Sequence, residues 1–336
     1  MGKREQACLA PSPTACVAHT RAYRGGALTE QGFDVSRISD LLDQPGTVVW
    51  LDLLQPSEAD LAVLVDELGL HPLAVEDALH AHQRPKLDRY EDHLFLAAYA
   101  VVVEDDEVET AEVAAFLTPR ALVTVRKDAR VALEPVLTRW DAAPHLTGSG
   151  VPYLAHGLVD VLVDGYVSVA QDLDDRSDDI EDLLFLGPGE RALQEQTFAL
   201  RSSVTRLRRV VLPMQEVVAT MRRPDMGLVD AAMEPYLRDV DDHVQRVLAA
   251  VDAIREQLAT ILDTTIALQG QRLNQTLFRL TAWAAILAVT TAITGYFGQN
   301  VPYPGSEQPL GLLLSTVLLV GSVGGLFVYF RRRGWL

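Results

Sequence analysis

Hydrophobic positions are spread very unevenly along this 336-residue chain. Residues 280–298 read LTAWAAILAVTTAITGYFG and residues 310–330 read LGLLLSTVLLVGSVGGLFVYF, neither with a charged residue. About 20 apolar residues of helix cross a bilayer's hydrocarbon core, so each stretch is long enough to span it. Arg272 and Arg279 precede the first stretch, and Arg331, Arg332 and Arg333 follow the second. The loop at 299–309 carries no Lys or Arg and a single acid, Glu307. Because basic flanks stay cytoplasmic, the pattern predicts a two-helix hairpin in the cell membrane, with both termini inside and the loop outside. The N-terminus has no apolar run ending in a cleavage site, so no secretory signal is expected.

Upstream the periodicity changes twice. Residues 1–14 contain Pro and Ser and are expected to be disordered. From 15 to 152, β-rich runs at 47–53, 93–103, 112–117 and 122–126 alternate with helical patterns at 57–68 and 71–80. That mixture predicts a cytosolic α/β domain with helices packed on a mixed sheet. Residues 153–235 read as a helical hairpin: an acidic helix at 153–186, a Gly187-Pro188-Gly189 turn, and a basic helix with Arg201, Arg206, Arg208 and Arg209. Charge complementarity is expected to hold its arms together in part. Both charge runs are equally readable as solvated faces, or the acids as a collector of divalent cations. From 236 to 298 there is no proline, and an amphipathic pattern (Val244, Val247, Leu248, Val251, Ile254, Leu258, Ile261) passes straight into the first span. One helix of about 60 residues would be ~90 Å long. A seam on so long a helix predicts packing against copies of itself, hence a symmetric oligomer on a membrane-penetrating stalk.

Composition narrows the function. Lys and Arg total 29 against 46 Asp and Glu, a net charge of −17, which argues against nucleic-acid binding and for attracting cations. The two cysteines, Cys8 and Cys16, fall near the N-terminus, taken here as tail, and exclude a disulfide scaffold or a cysteine zinc site. There is no phosphate-cradling glycine loop, nucleophile elbow or zincin motif, so neither enzyme chemistry nor an organic cofactor is expected. His71, His80, His82 and His93 are weak zinc candidates, because residues two apart on a helix point different ways.

If copies of the long helix surround an axis, the inward stripe is Asn274, Leu277, Thr281, Ala284, Ala288, Thr291, Gly295 and Gly298. Small residues serve either close helix contact or a water-filled path, and spacing leaves both open. Leu277, with Leu280 beside it, is the bulky candidate for a constriction that gates by dewetting. The helix then meets Gly298-Gln299-Asn300, where a ring of amide and carbonyl oxygens suits hard cations such as hydrated magnesium.

The motif at 296–300, YFGQN, resembles the YGMN signature of the CorA-type metal-ion transporter family. The resemblance runs through WLDLLQPSEADLAVL at 50–64, the segment at 68–96 and YLRDVDDHV at 236–244, to the terminal basic residues and Gly-Trp335-Leu336. It implies an α+β/α membrane fold and a funnel-shaped homopentamer in which each subunit gives one pore-lining and one peripheral helix. It also implies a selectivity ring at Gly298, Gln299 and Asn300, a constriction at Leu277 and Leu280, and polar rings at Asn274 and Thr291. Cytosolic magnesium would close the channel between subunits, with Asp239 as one ligand and a partner among Glu104, Asp105 and Asp106. Two departures stand out: Gln299 replaces the signature Met, and Pro and Tyr after Asn300 leave Glu307 alone to attract cations. The expected function is magnesium uptake down its gradient, with cobalt or nickel as further cargo. The alternatives are a zinc transporter of the same architecture, proton-coupled or not, and a non-conducting membrane anchor or sensor.

Overall fold

The computed structural model describes residues 16–80, 83–143, 146–186, 190–299 and 308–336. The predicted tail 1–14 with Cys8, the 187–189 turn, His82, Asn300 and Glu307 lie outside the described residues. The chain divides into two compact units, Met1–Ala259 and Thr260–Leu336.

The first unit is built on one mixed sheet. Its strands are β1 (Val17–Arg24), β2 (Ala27–Gln31), β3 (Thr47–Leu54), β4 (Lys86–Arg89), β5 (Leu94–Glu104), β6 (Glu107–Leu117) and β7 (Ala121–Arg126), in spatial order β2-β1-β3-β7-β6-β5-β4. Among the described residues only β3 and β7 pair in parallel, with Leu51 opposite Val123. Both are apolar along nearly their whole length, as strands covered on two faces must be. Three strands escape sequence reasoning: β1, β2 and β4 mix polar with apolar positions and owe their extended form to their neighbours.

Alternation in β3 sends side chains to two layers. On one side Val49, Leu51 and Leu53 join Phe95, Phe116, Val123 and Val125 under α1 (Ile38–Leu42), α2 (Glu58–Leu68) and α3 (Pro72–Leu79). Helix α2 starts where Ser57 and Asp60 form a reciprocal capping box and stops at Gly69, whose φ of 66° suits a residue without a Cβ. Cys16 is buried in this layer, a correction to its placement in the tail, and burial pushes its thiol up to about 11. On the other side Trp50 meets Trp140 of α4 (Glu134–Ala142) edge-on, ring centres 4.9 Å apart. Asp52 is fully buried there and held bidentately by Arg126, which also donates to the Val131 carbonyl.

That second face is covered by α5 (Val151–Leu186) and α6 (Glu190–Met221). Among the described residues, ion pairs run from these helices to their surroundings: Arg206 goes to Glu107 and Glu109 of β6, while Asp160 and Asp164 go to Arg139 of α4. Apolar side chains such as Leu173, Leu193, Leu200 and Val204 are buried. The long helix α7 (Glu234–Phe297) begins in this unit. Its residues Leu237, Val240, Val244, Val247, Val251, Ile254 and Leu258 are buried at alternating steps of three and four. Hydrogen bonds tie this part of α7 to α5 through Gln257, Asp178 and Glu181, and an ion pair ties it to α6 through Asp252 and Arg208.

The second unit holds the rest of α7 and α8 (Pro309–Arg332). They pack through a small cluster of Ala282, Ile286 and Phe330, with Val323, Leu326 and Trp335 at its edge. Phe278 stacks on Trp335 at 4.7 Å, and Phe330 stacks on the same indole at 5.4 Å.

Candidate ion path and cation-binding groups

Within the second unit, the residues of α7 that touch α8 fix which face is left over. Ala282 and Ile286 are buried, and Ala285 packs beside them. At 100° per residue, the stripe of Asn274, Leu277, Thr281, Ala284, Ala288, Thr291 and Gly295 centres about 150° from that buried face. All of these residues, and Leu280, are exposed in the single chain. The threonines have a defined polarity. Thr281 donates to the Leu277 carbonyl and Thr291 to the Leu287 carbonyl, both at 2.8 Å. With the proton spent on the helix, each hydroxyl oxygen presents only acceptor lone pairs outward. Such a surface suits cations and the waters around them.

The helix ends at Phe297, with Gly298 donating to the Thr294 carbonyl at 2.9 Å. A Cβ at Gly298 would sit 3.0 Å from that same carbonyl oxygen, so glycine lets the chain leave the helix tightly. Gln299 is exposed. Asn300 and Glu307 fall outside the described residues.

In the first unit, Asp239 lies on an exposed face of α7, its side chain 66% accessible and its carboxylate 4.0 Å from His243. Among the proposed partners, Glu104 is paired with Arg130. Asp105 and Asp106 form the tip of the β5–β6 turn, with φ of 50° and 65°. Two successive positive φ values match the type I′ turn of a two-residue hairpin loop, which Asp tolerates. Asp239 is thus exposed beside His243, whereas Glu104 is held by Arg130.

Three of the four candidate histidines are described, and each has another use. His71 caps α3 by accepting from the Leu73 N–H, and its ring stacks on Tyr90 at 4.7 Å. His93 stacks on the same Tyr90 at 5.0 Å, and burial lowers its pKa. His80 is spent on the Glu76 carbonyl. His71 and His93 each stack on Tyr90, and among the described residues neither belongs to a group of three converging metal-ligand atoms.

A cluster that sequence reasoning missed does converge. Asp160 and Asp164 of α5 and His243 of α7 bring one ligand atom each within 4.8 Å of one another. Arg139 already pairs with both carboxylates, so one of the two negative charges is met from within the chain. The spacing of Asp160 and Asp164 was visible, but their meeting with His243, some 80 positions on, was not.

Comparison with known proteins adds the relatives. The family model described as CorA-like Mg2+ transporter protein matches residues 45–332. The chain is similar to the cobalt/magnesium transport protein CorA of Thermotoga maritima, 27% identical over 90% of this chain and 87% of that one. It is also similar to the zinc transport protein ZntB of Pectobacterium carotovorum, 24% identical over 85% and 88%. Its fold matches the complete structure of the CorA magnesium transporter from Methanocaldococcus jannaschii, with a TM-score of 0.78, 21% identity, and 94% and 98% of the two chains covered.

Proposed function

This chain belongs to the CorA-like Mg2+ transporter family, and we propose that it carries divalent cations, magnesium first among them, down their electrochemical gradient into the cell. The observation that carries the reading is the exposed stripe of α7 on the face away from α8, with threonine acceptors turned outward. Five copies around an axis would bury that stripe and give hydrated ions an oxygen-lined path, with both termini in the cytoplasm. The donor chemistry favours a hard ion: residues 260–336 contain no His and no Cys, the side chains that select zinc. The zinc reading rests on the likeness to ZntB and predicts the opposite ion order. A flux assay in proteoliposomes comparing magnesium, zinc, cobalt and nickel decides between them.

Asn300 is assigned the outer selectivity ring together with Gly298 and Gln299. Asn300→Ala is expected to abolish uptake while leaving assembly on a sizing column intact; unchanged uptake removes the assignment. Magnesium is also proposed as the cytosolic regulator at Asp239, where it would bridge facing carboxylates of neighbouring subunits. Asp239→Ala should then lose the protection from protease that magnesium confers on the parent chain.

A further inference from the structure

The first unit holds a pocket whose charge runs against the rest of the molecule. Arg84, between α3 and β4, Arg208 and Arg209 of α6, and Arg255 of α7 line one cavity of about 470 Å³, with Thr205, Leu212 and Pro213. In a chain of net charge −17, four guanidinium groups on one cavity need an explanation. The described contacts set one acid against them: Asp252 receives Arg208 at 2.8 Å and Arg255 at 3.3 Å. Among the described residues, Arg84 and Arg209 have neither a hydrogen bond nor an ion pair. Thr205 donates to the Arg201 carbonyl at 2.8 Å, so the arginines are the donors on offer.

We propose that this pocket binds the phosphate chain of a small polyphosphate anion, the class that includes nucleoside triphosphates. Guanidinium forks match phosphate oxygens two bonds at a time, and they remain charged at any physiological pH. The volume is that of an ordinary small-ligand site, ~300–1,000 Å³, and a single phosphate fills little of it. The arginines come from three separate elements, which suits a ligand with several linked charges rather than one. Leu212 and Pro213 give the same cavity an apolar side for a base or other uncharged portion. The transported cation is excluded here by charge, and nucleic acid by the acidity of the chain as a whole.

Isothermal titration of the full-length protein in detergent, in magnesium-free buffer, tests the site with tripolyphosphate, ATP and orthophosphate. Tripolyphosphate and ATP should bind once per chain, and orthophosphate at least about tenfold more weakly. The double variant R84Q/R209Q should weaken tripolyphosphate by at least about tenfold, whereas R201Q, on the same helix but outside the pocket, should leave it unchanged. Both mutated side chains are exposed, and R84Q and R209Q singly give the same ranking should the double variant lose its fold. Tripolyphosphate binding that is undetectable at millimolar concentration, or equal in parent and R84Q/R209Q, overturns the proposal. So does capture by phosphatidylglycerol vesicles through these arginines without any binding of tripolyphosphate, which would make the pocket a lipid headgroup site.

Discussion

Helices α5 and α8 are both long and apolar enough to cross a membrane, yet they live in opposite surroundings. Both contain a stretch apolar enough to cross a membrane, but 72% of that stretch is buried in α5 and only 6% in α8. In α5 the sheet and the neighbouring helices supply the apolar cover, and Asp160 and Asp164 reach Arg139 at its edge. In α8 residues such as Leu312 and Val317 are largely exposed, at 74% and 64%. Hydropathy therefore tells how much apolar surface a helix offers. Which solvent takes that surface, protein or lipid, depends on the partners around it.

The largest test of this contrast is a charge placed in each helix. Leu158 is 1% exposed in α5, among apolar side chains. Leu158→Arg is expected to cost more than about 5 kcal/mol and leave no cooperative melt. Val317→Arg should leave the first unit folded but cost about 2.5–3.5 kcal/mol of membrane insertion, read as a lower integrated fraction. A parent-like melt for the first, or full integration of the second, breaks the comparison.

Acid gives the next effect. His156 of α5 is buried, and that burial, reinforced by Arg139, pushes its pKa down to about 4. The unfolded chain takes up this proton near pH ~6.5, while the folded chain resists until about 4, so the unfolded state binds more protons between them. Stability is whole above pH ~6.5 and falls as pH drops toward 4, by about 3 kcal/mol in total. A series of thermal midpoints should show that slope, and His156→Gln should flatten it. The second unit contains no histidine, so the loss belongs to the first.

The smallest effect separates two glycines. A Cβ on Gly157 would lie 2.4 Å from the Trp140 indole nitrogen, while one on Gly324 in α8 would meet nothing within 4 Å. Gly157→Ala should cost about 1–3 kcal/mol by overpacking. Gly324→Ala should be neutral or gain up to about 1 kcal/mol of helix propensity within the chain. Thermal melts measure both. Loss of the oligomer in Gly324→Ala by cross-linking would mean that copies pack through that glycine.

Legibility in the sequence followed locality. The helix at 57–68, the amphipathic pattern from Val244 to Ile261 and the two uncharged stretches each announce themselves within a few turns of chain. The stripe from Asn274 to Gly295 was also readable as one face of a helix; that this face is the one turned away from α8 was not. Strands β1, β2 and β4 were hidden because their polar residues say nothing until β3 and β5 lie alongside.

The residues alone determined the helices, their apolar faces and the family motif, because backbone periodicity and burial preference act between near neighbours. Only the folded chain decided where distant charges meet. It set Arg139 between Asp160 and Asp164, put Cys16 in the core, and gathered four arginines from three elements around one cavity. Coulomb attraction and close packing depend on distance through space, and separation along the chain carries no measure of that distance.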